Sequence, residues 1–89
     1  MYYVYLLKSK KLDRTYIGYT SDLRKRYREH NAGKVSSTKA YVPYVLVYYE
    51  AYLSSADARK REIELKKHSQ RKELLFASLE RSLNVGDVV

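Results

Sequence analysis

Two segments rich in aromatic and β-branched residues begin this chain, and they limit most strongly what it can fold into. Residues 2–7 (YYVYLL) are apolar or aromatic throughout, and residues 15–19 (TYIGY) have a similar character. Such residues favour strands. The two runs are joined by the polar residues 9–14, which favours an antiparallel hairpin. Because the first run has no polar face, we predict that its strand is buried on both sides of a sheet.

A helix is predicted to follow the hairpin. Thr20 or Ser21 can cap it, and Asp22 is favourable in its first turn. The helix should extend to about Asn31, with Gly33 as the expected stop. Residues 34–43 then form a polar loop that ends at the only proline.

The second half of the chain predicts one more strand and two more helices. Residues 44–52 are rich in Val and Tyr, which is typical of a strand. Ser54 or Ser55 can begin a helix that extends to about His68, and Ser69 can cap a third helix that extends to about Leu83. The order β-β-α-β-α-α predicts an α+β fold, with a three-stranded antiparallel or mixed sheet flanked by helices.

The length and composition favour one small domain. A chain of 89 residues has room for one core, which we expect over residues 1–83, followed by a frayed tail at residues 84–89. The absence of cysteine excludes a disulfide framework and a Cys-ligated zinc. The first residues (MYYVYLLKSKK) lack the features of a signal peptide and are too short to span a bilayer. We therefore expect a cytoplasmic protein without a membrane partner.

The net charge indicates the class of partner. Eighteen Lys and Arg residues against ten Asp and Glu residues give a formal charge of +8. A surplus this large on a small domain favours a polyanion such as a nucleic acid, with binding that weakens as salt rises.

Two tyrosines are predicted to lie side by side in the hairpin. A short turn around Lys10 and Lys11 would place Tyr5 roughly opposite Tyr16, which shares a sheet face with Gly18. The glycine would leave room for a ligand to approach the backbone. The alternative is an ordinary cross-strand aromatic pair, in a chain that has 11 tyrosines.

The first helix places an arginine beside its apolar stripe. At helical spacing, Leu23, Tyr27 and His30 share the face toward the core, and Arg26 borders that face. An arginine in this position can bind an oxyanion in a partly dry pocket. The alternatives are an Arg26 paired with Asp22 at i−4 and an ordinary core histidine.

A carboxylate interrupts the apolar row of the second helix. Ala58, Glu62 and Leu65 fall on one face, so Glu62 must be paired, protonated or bound to a metal if that face is buried. The alternative is a pair between Glu62 and Lys66 at i,i+4 on an exposed face.

These segments together resemble the GIY-YIG endonuclease family. Residues 3–5 (YVY) and 16–18 (YIG) resemble the two tripeptides that name it, although Tyr3 stands where the family has glycine. The stretch YIGYTSDLRKRYREHNAGK continues the likeness, and TKAYVPYVLVYYE and ARKREIELKK resemble the third strand and the glutamate helix of small stand-alone members. The ordered set covers nearly the whole chain.

The resemblance implies a phosphodiesterase that uses one divalent ion, Mg²⁺ or Mn²⁺. It implies that Tyr16 acts as, or relays to, the general base and that Tyr5 positions the attacking water. Arg26 would stabilise the phosphoryl charge, and Glu62 would bind the metal. His30 would orient Tyr16 or accept its proton.

The expected substrate is DNA, with RNA left open, cleaved in a structure-directed or weakly specific way during repair or strand processing. Five basic residues are expected to contact its backbone: Lys25, Arg28, Lys34, Lys39 and Lys66. Two alternatives remain at this point, a nucleic-acid-binding module that cleaves little and a subunit that is active only with a protein partner. The sequence does not indicate an oligomeric state.

Overall fold

The computed structural model describes residues 1–67 and 70–84 and confirms the predicted α+β class. In chain order the elements are β1 (Tyr2–Ser9), β2 (Thr15–Thr20), α1 (Leu23–Asn31), a 3-10 turn (Lys39–Tyr41), β3 (Tyr44–Tyr52), α2 (Ser55–Lys66), α3 (Gln70–Ser78) and α4 (Glu80–Leu83). The sheet has the order β2-β1-β3, and both strand pairs are antiparallel. The apolar first strand is therefore the central one, as its lack of a polar face predicts.

The register of the hairpin differs from the prediction. Tyr5 pairs with Gly18, and Tyr16 pairs with Leu7, so Tyr5 does not lie opposite Tyr16. The turn is longer than expected because the buried Ser9 accepts hydrogen bonds from backbone N–H groups within it. A shift of two residues keeps every side chain on its own face. The two tyrosines are therefore diagonal neighbours on one face of the sheet.

Hydrophobic clusters cover both faces of β1. Val4 and Leu6 pack toward α2, α3 and α4, whereas Tyr5 and Leu7 pack toward α1 and the turn before β3. Successive side chains of a strand point to opposite faces, so the central strand contributes to both clusters. No helix among the described residues is long and apolar enough to cross a membrane.

Several helix ends differ from the predicted ones. Asp22, not Thr20 or Ser21, caps α1, because its side chain accepts the Lys25 backbone N–H. Gly33 follows α1 with a φ of 73°, and this left-handed conformation suits the predicted stop.

Ser54 caps α2, as one of the two predicted candidates. The predicted third helix is divided at Leu79 into α3 and the short α4. The expected helix end at His68, the expected cap Ser69 and residues 85–89 of the expected tail lie outside the described residues.

An ion pair joins β3 to α2. The Arg61 guanidinium donates two hydrogen bonds of 2.9 Å each to the Glu50 carboxylate. The hydroxyls of Tyr48 and Tyr52 donate to the same carboxylate. Burial alone would raise the pKa of Glu50, but its Arg61 and tyrosine hydrogen bonds outweigh burial and lower that pKa.

Candidate active site

A chain of three buried side chains lies at the centre of the site. The Tyr5 hydroxyl is 2.7 Å from Nε2 of His30, and Nδ1 of His30 is 2.8 Å from Oγ1 of Thr38. All three residues are buried, and they belong to β1, α1 and the loop before β3. The residue that was expected to orient Tyr16 is therefore hydrogen-bonded to Tyr5.

The direction of this chain follows from its Thr38 end. The Thr38 hydroxyl donates its only proton to the carbonyl of Val35 at 3.4 Å, so Oγ1 accepts from Nδ1–H of His30. A neutral imidazole carries one N–H, which leaves Nε2 to accept from the Tyr5 hydroxyl. We infer that His30 is neutral and carries its proton on Nδ1.

The pKa shifts agree with this protonation state. Burial and, to a smaller extent, the positive charge of Arg26 lower the pKa of His30 to about 4. Burial, with a contribution from Tyr16, raises the pKa of Tyr5 to about 12, although Arg26 opposes the rise. Near neutral pH the proton therefore stays on Tyr5 and the imidazole stays uncharged.

Tyr16 is the more accessible of the two phenols. It is half-buried, and its ring centroid lies 6.2 Å from that of Tyr5 and 5.0 Å from that of His30. Gly18 makes this arrangement possible. A Cβ atom there would lie 2.3 Å from Cζ of Tyr5, so the space expected for a ligand is filled by the Tyr5 ring. Tyr16 remains the phenol that a ligand can reach.

Arg26 lines a groove that also contains Tyr19. Its guanidinium pairs with Glu29 at 3.3 Å and not with Asp22. The groove has a volume of about 390 Å³. Three cations, Lys25, Arg26 and Arg59, line it against two carboxylates, Asp22 and Glu29, and we call it the basic groove. An anionic group of modest size can therefore reach Arg26 from solvent.

Glu62 is buried and is also paired with Lys66. It therefore combines the buried carboxylate of one prediction with the ion pair of the other. Its residue exposure is 9%, and its carboxylate lies 3.0 Å from Nζ of Lys66 and 3.6 Å from a guanidinium nitrogen of Arg59. Lys66, which pairs with Glu62, also lies 5.7 Å from the centroid of the Tyr16 ring, so the pair stands close to the tyrosine cluster.

The donor set near Glu62 fits only one mode of metal binding. Among the described residues, no three His, Cys, Asp or Glu side chains form a group that could bind an ion. Mg²⁺ commonly binds through one or two carboxylates, keeps several waters and takes other oxygens from a substrate phosphate. A single carboxylate such as Glu62 fits that mode of binding and does not fit a site made of protein ligands alone.

The five predicted backbone contacts are not equally close to the site. Lys25 lines the basic groove, and Nζ of Lys66 lies 5.7 Å from the centroid of the Tyr16 ring. Arg28, Lys34 and Lys39 are exposed but do not line this groove.

Two residues near the site were not predicted from the sequence. Thr38 lies in a polar loop where nothing distinguishes it from its neighbours, and only the fold brings it to His30. Arg59 could have been found, because it precedes Glu62 by three residues and i,i+3 pairs share a helix face. Its guanidinium also lies 3.9 Å from the centroid of the Tyr19 ring.

Comparison with known proteins gives a consistent result. The model of the GIY-YIG catalytic domain matches residues 1–74. A UPF0213 protein of Staphylococcus haemolyticus (strain JCSC1435) is 42% identical over 74 residues, or 82% of this chain and 89% of that protein. A UPF0213 protein of Haloquadratum walsbyi is 35% identical over 77 residues, or 85% of each chain.

A solved structure agrees with the fold. The solution NMR structure of a UPF0213 protein from Bacillus halodurans matches with a TM-score of 0.56 and 33% identity, covering 98% of this chain and 95% of that one. GIY-YIG nucleases in general act on DNA and depend on a divalent metal. With the tripeptide strands, the arginine helix and the glutamate helix all in place, the chain belongs to the GIY-YIG family of nucleases.

Proposed function

We propose that this protein is a metal-dependent endonuclease that hydrolyses DNA phosphodiester bonds in a structure-directed or weakly specific way. We place it in the cytoplasm, in repair or in the processing of branched or damaged strands. The observation that carries the proposal is the buried chain from Tyr5 through His30 to Thr38, one helical turn from Arg26, which lines the basic groove. The chain holds the helix that presents this cation where a phosphate can bind.

Arg26 is the residue that stabilises the phosphoryl charge in this proposal. Its 3.3 Å pair with Glu29 restrains the guanidinium, so less conformational freedom is lost when a phosphate binds. Tyr5 is nearly inaccessible, which favours a positioning role for it over contact with the attacking water. His30 joins Tyr5 to the helix that carries Arg26, so both have positioning roles.

Tyr16 is the phenol that would meet the attacking water. The water oxygen forms a bond to phosphorus, the bond to the leaving oxygen breaks, the water proton passes to the phenolate oxygen of Tyr16, and the leaving oxygen takes a proton from solvent. A phenolate is stabilised by a nearby positive charge. The ammonium of Lys66 lies 5.7 Å from the centroid of the Tyr16 ring, which places such a charge beside it.

Glu62 would bind the single metal ion, Mg²⁺ or Mn²⁺. When bound, such an ion polarises the phosphate and neutralises the charge on the leaving oxygen. Lys66 and Arg59 must release the carboxylate for this to happen, and both are long, largely exposed side chains that water can solvate. The exchange of partners therefore costs little.

A second candidate function is a nucleic-acid-binding module that cleaves little, or a subunit activated by a protein partner. One observation favours it, since both cations near Glu62 already compensate its charge. In that case the carboxylate would fix the positions of Lys66 and Arg59 for backbone contacts. Binding alone would show the same steep dependence on salt, so affinity does not separate the two functions.

The experiment that tests the proposal is a cleavage assay with plasmid, branched and single-stranded DNA, in Mg²⁺, Mn²⁺ or chelator. We expect nicking that requires the metal. Replacement of Arg26 by Ala should lower turnover by about 10²- to 10³-fold with little loss of DNA affinity. Arg81→Ala on the exposed part of α4 is the matched control. Binding without cleavage of any substrate would leave the second candidate in place.

A further inference from the structure

An aromatic groove lies next to the basic groove. Its volume is about 460 Å³, within the range of about 300 to 1,000 Å³ that is usual for small-molecule sites. Tyr3, Tyr27 and Tyr49 line it, together with Arg24. The proposed cleavage site uses none of these four residues.

Tyr49 presents an accessible ring in this groove. It is 53% exposed although it lies in β3, and its ring contacts Tyr3 edge to face, with centroids 5.9 Å apart and planes 66° from parallel. The contact restrains the Tyr49 ring and leaves aromatic surface open to solvent. Tyr27, which also lines this groove, is restrained as well, because its hydroxyl donates to the backbone carbonyl of Tyr44.

The two grooves adjoin. Ser21 and Asp22, in the turn between β2 and α1, line both of them. Arg24 faces the aromatic groove, whereas Arg26 and Lys25 face the basic groove. The N-terminal end of α1 thus lies between the basic groove and the aromatic groove.

We propose that the aromatic groove binds an unpaired nucleobase of the strand whose phosphate occupies the basic groove. The base stacks on Tyr49, and Arg24 contacts the adjoining phosphate. The substrate is then DNA with a single-stranded segment, since a base inside a duplex does not expose its face. This inference rests on the proposed nuclease function, because it takes the occupants of the two grooves to be neighbouring parts of one strand.

The test compares an oligothymidylate of about 12 nucleotides with an abasic strand of equal length and charge. Stacking should make wild-type affinity for the thymidylate about 5- to 150-fold higher than for the abasic strand. Tyr49→Ala should remove most of that difference and leave abasic affinity unchanged, whereas Tyr49→Phe should retain it. Leu53→Ala, which removes an exposed apolar side chain just after β3, is the control.

The outcomes separate this inference from the nuclease function. If wild-type protein cleaves plasmid with metal but Tyr49→Ala binds thymidylate as tightly as wild type, the base site is wrong and the nuclease function stands. If no DNA is cleaved but the preference for thymidylate depends on the Tyr49 ring, the base site stands and the nuclease function is wrong. Equal wild-type affinity for the two strands overturns the base site.

Discussion

The Tyr5 hydroxyl and Nε2 of His30 lie 2.7 Å apart in the interior, joining the central strand to the first helix. Because Arg26 lies one turn before His30 on this helix and lines the basic groove, this one hydrogen bond couples the core to that groove. A substitution that breaks this hydrogen bond should therefore lower both the stability and the cleavage rate. A substitution elsewhere in the core should lower the stability alone.

Thr38→Val tests the far end of the chain. The change removes the acceptor of the His30 Nδ1–H at nearly constant shape and leaves a buried donor without a partner. We expect the free energy of unfolding to fall by about 1 to 3 kcal/mol. Urea denaturation measures this loss, and nitrogen NMR of the wild-type protein should show the His30 proton on Nδ1. Thr15→Val, at an exposed position, is the control. A wild-type His30 that carries its proton on Nε2 would contradict the assigned direction of the chain.

Stability should depend on pH through His30. Its pKa is about 4 in the folded protein against an ordinary 6.5, so the unfolded chain takes up the proton first as pH falls. The free energy of unfolding should therefore be independent of this group above its ordinary pKa and should decrease as pH falls between the two values. Titration of the His30 imidazole by NMR, beside denaturation at several pH values, measures both quantities. A His30 pKa near its ordinary value would contradict this prediction.

Gly18→Ala should distort the site from the neighbouring strand. The new Cβ would lie 2.3 Å from the Tyr5 hydroxyl oxygen, so the ring must move and its bond to His30 must lengthen. We expect a loss of about 1 to 3 kcal/mol in stability together with reduced cleavage. Gly33→Ala is the matched control, since its Cβ meets no atom within 4 Å and only the φ of 73° is unfavourable. That control should cost about 1 to 2 kcal/mol and leave cleavage per folded molecule unchanged. The same cleavage rate in both variants would argue against the role of Tyr5.

Arg61→Met should affect the fold and spare the site. It leaves the largely buried Glu50 carboxylate without the guanidinium that donates two hydrogen bonds to it. We expect a loss of about 1.5 to 3 kcal/mol, measured by urea denaturation. Arg71→Met breaks the far more exposed pair with Glu64 and should cost less than about 1 kcal/mol. Equal losses in the two variants would contradict the importance of burial at Glu50.

Side-chain patterns predicted most of the fold because they depend on local periodicity. β3 spans the predicted residues 44–52, and Ala58, Glu62 and Leu65 share the buried face of α2, which decides between the two alternatives left open for that face. The hairpin register was wrong because it depends on turn geometry, and Ser9 lengthens the turn through its own hydrogen bonds. A polar residue before a lysine-rich turn gives no sign that it will be buried.

The residues of the site were easier to predict than the hydrogen bonds between them. Periodicity placed His30 toward the core, but it could not decide between Tyr5 and Tyr16 as its partner, because both lie on one sheet face. The answer depends on the register and on Thr38, which reaches His30 across the loop before β3. Contacts of this kind form only when separate elements pack together, so no local pattern encodes them.

Glu62→Gln tests the central claim most directly. Lys66 and Arg59 are largely exposed, so the loss of their pairs with Glu62 should change stability by less than about 1 kcal/mol. If Glu62 binds the catalytic metal, the stabilisation of the wild-type protein by Mg²⁺ should disappear in the variant. The decisive measurement is the initial rate of plasmid nicking in Mg²⁺ by folded Glu62→Gln protein. We predict a rate reduced by at least about 10²-fold, whereas nicking at the wild-type rate would contradict the assignment of this site.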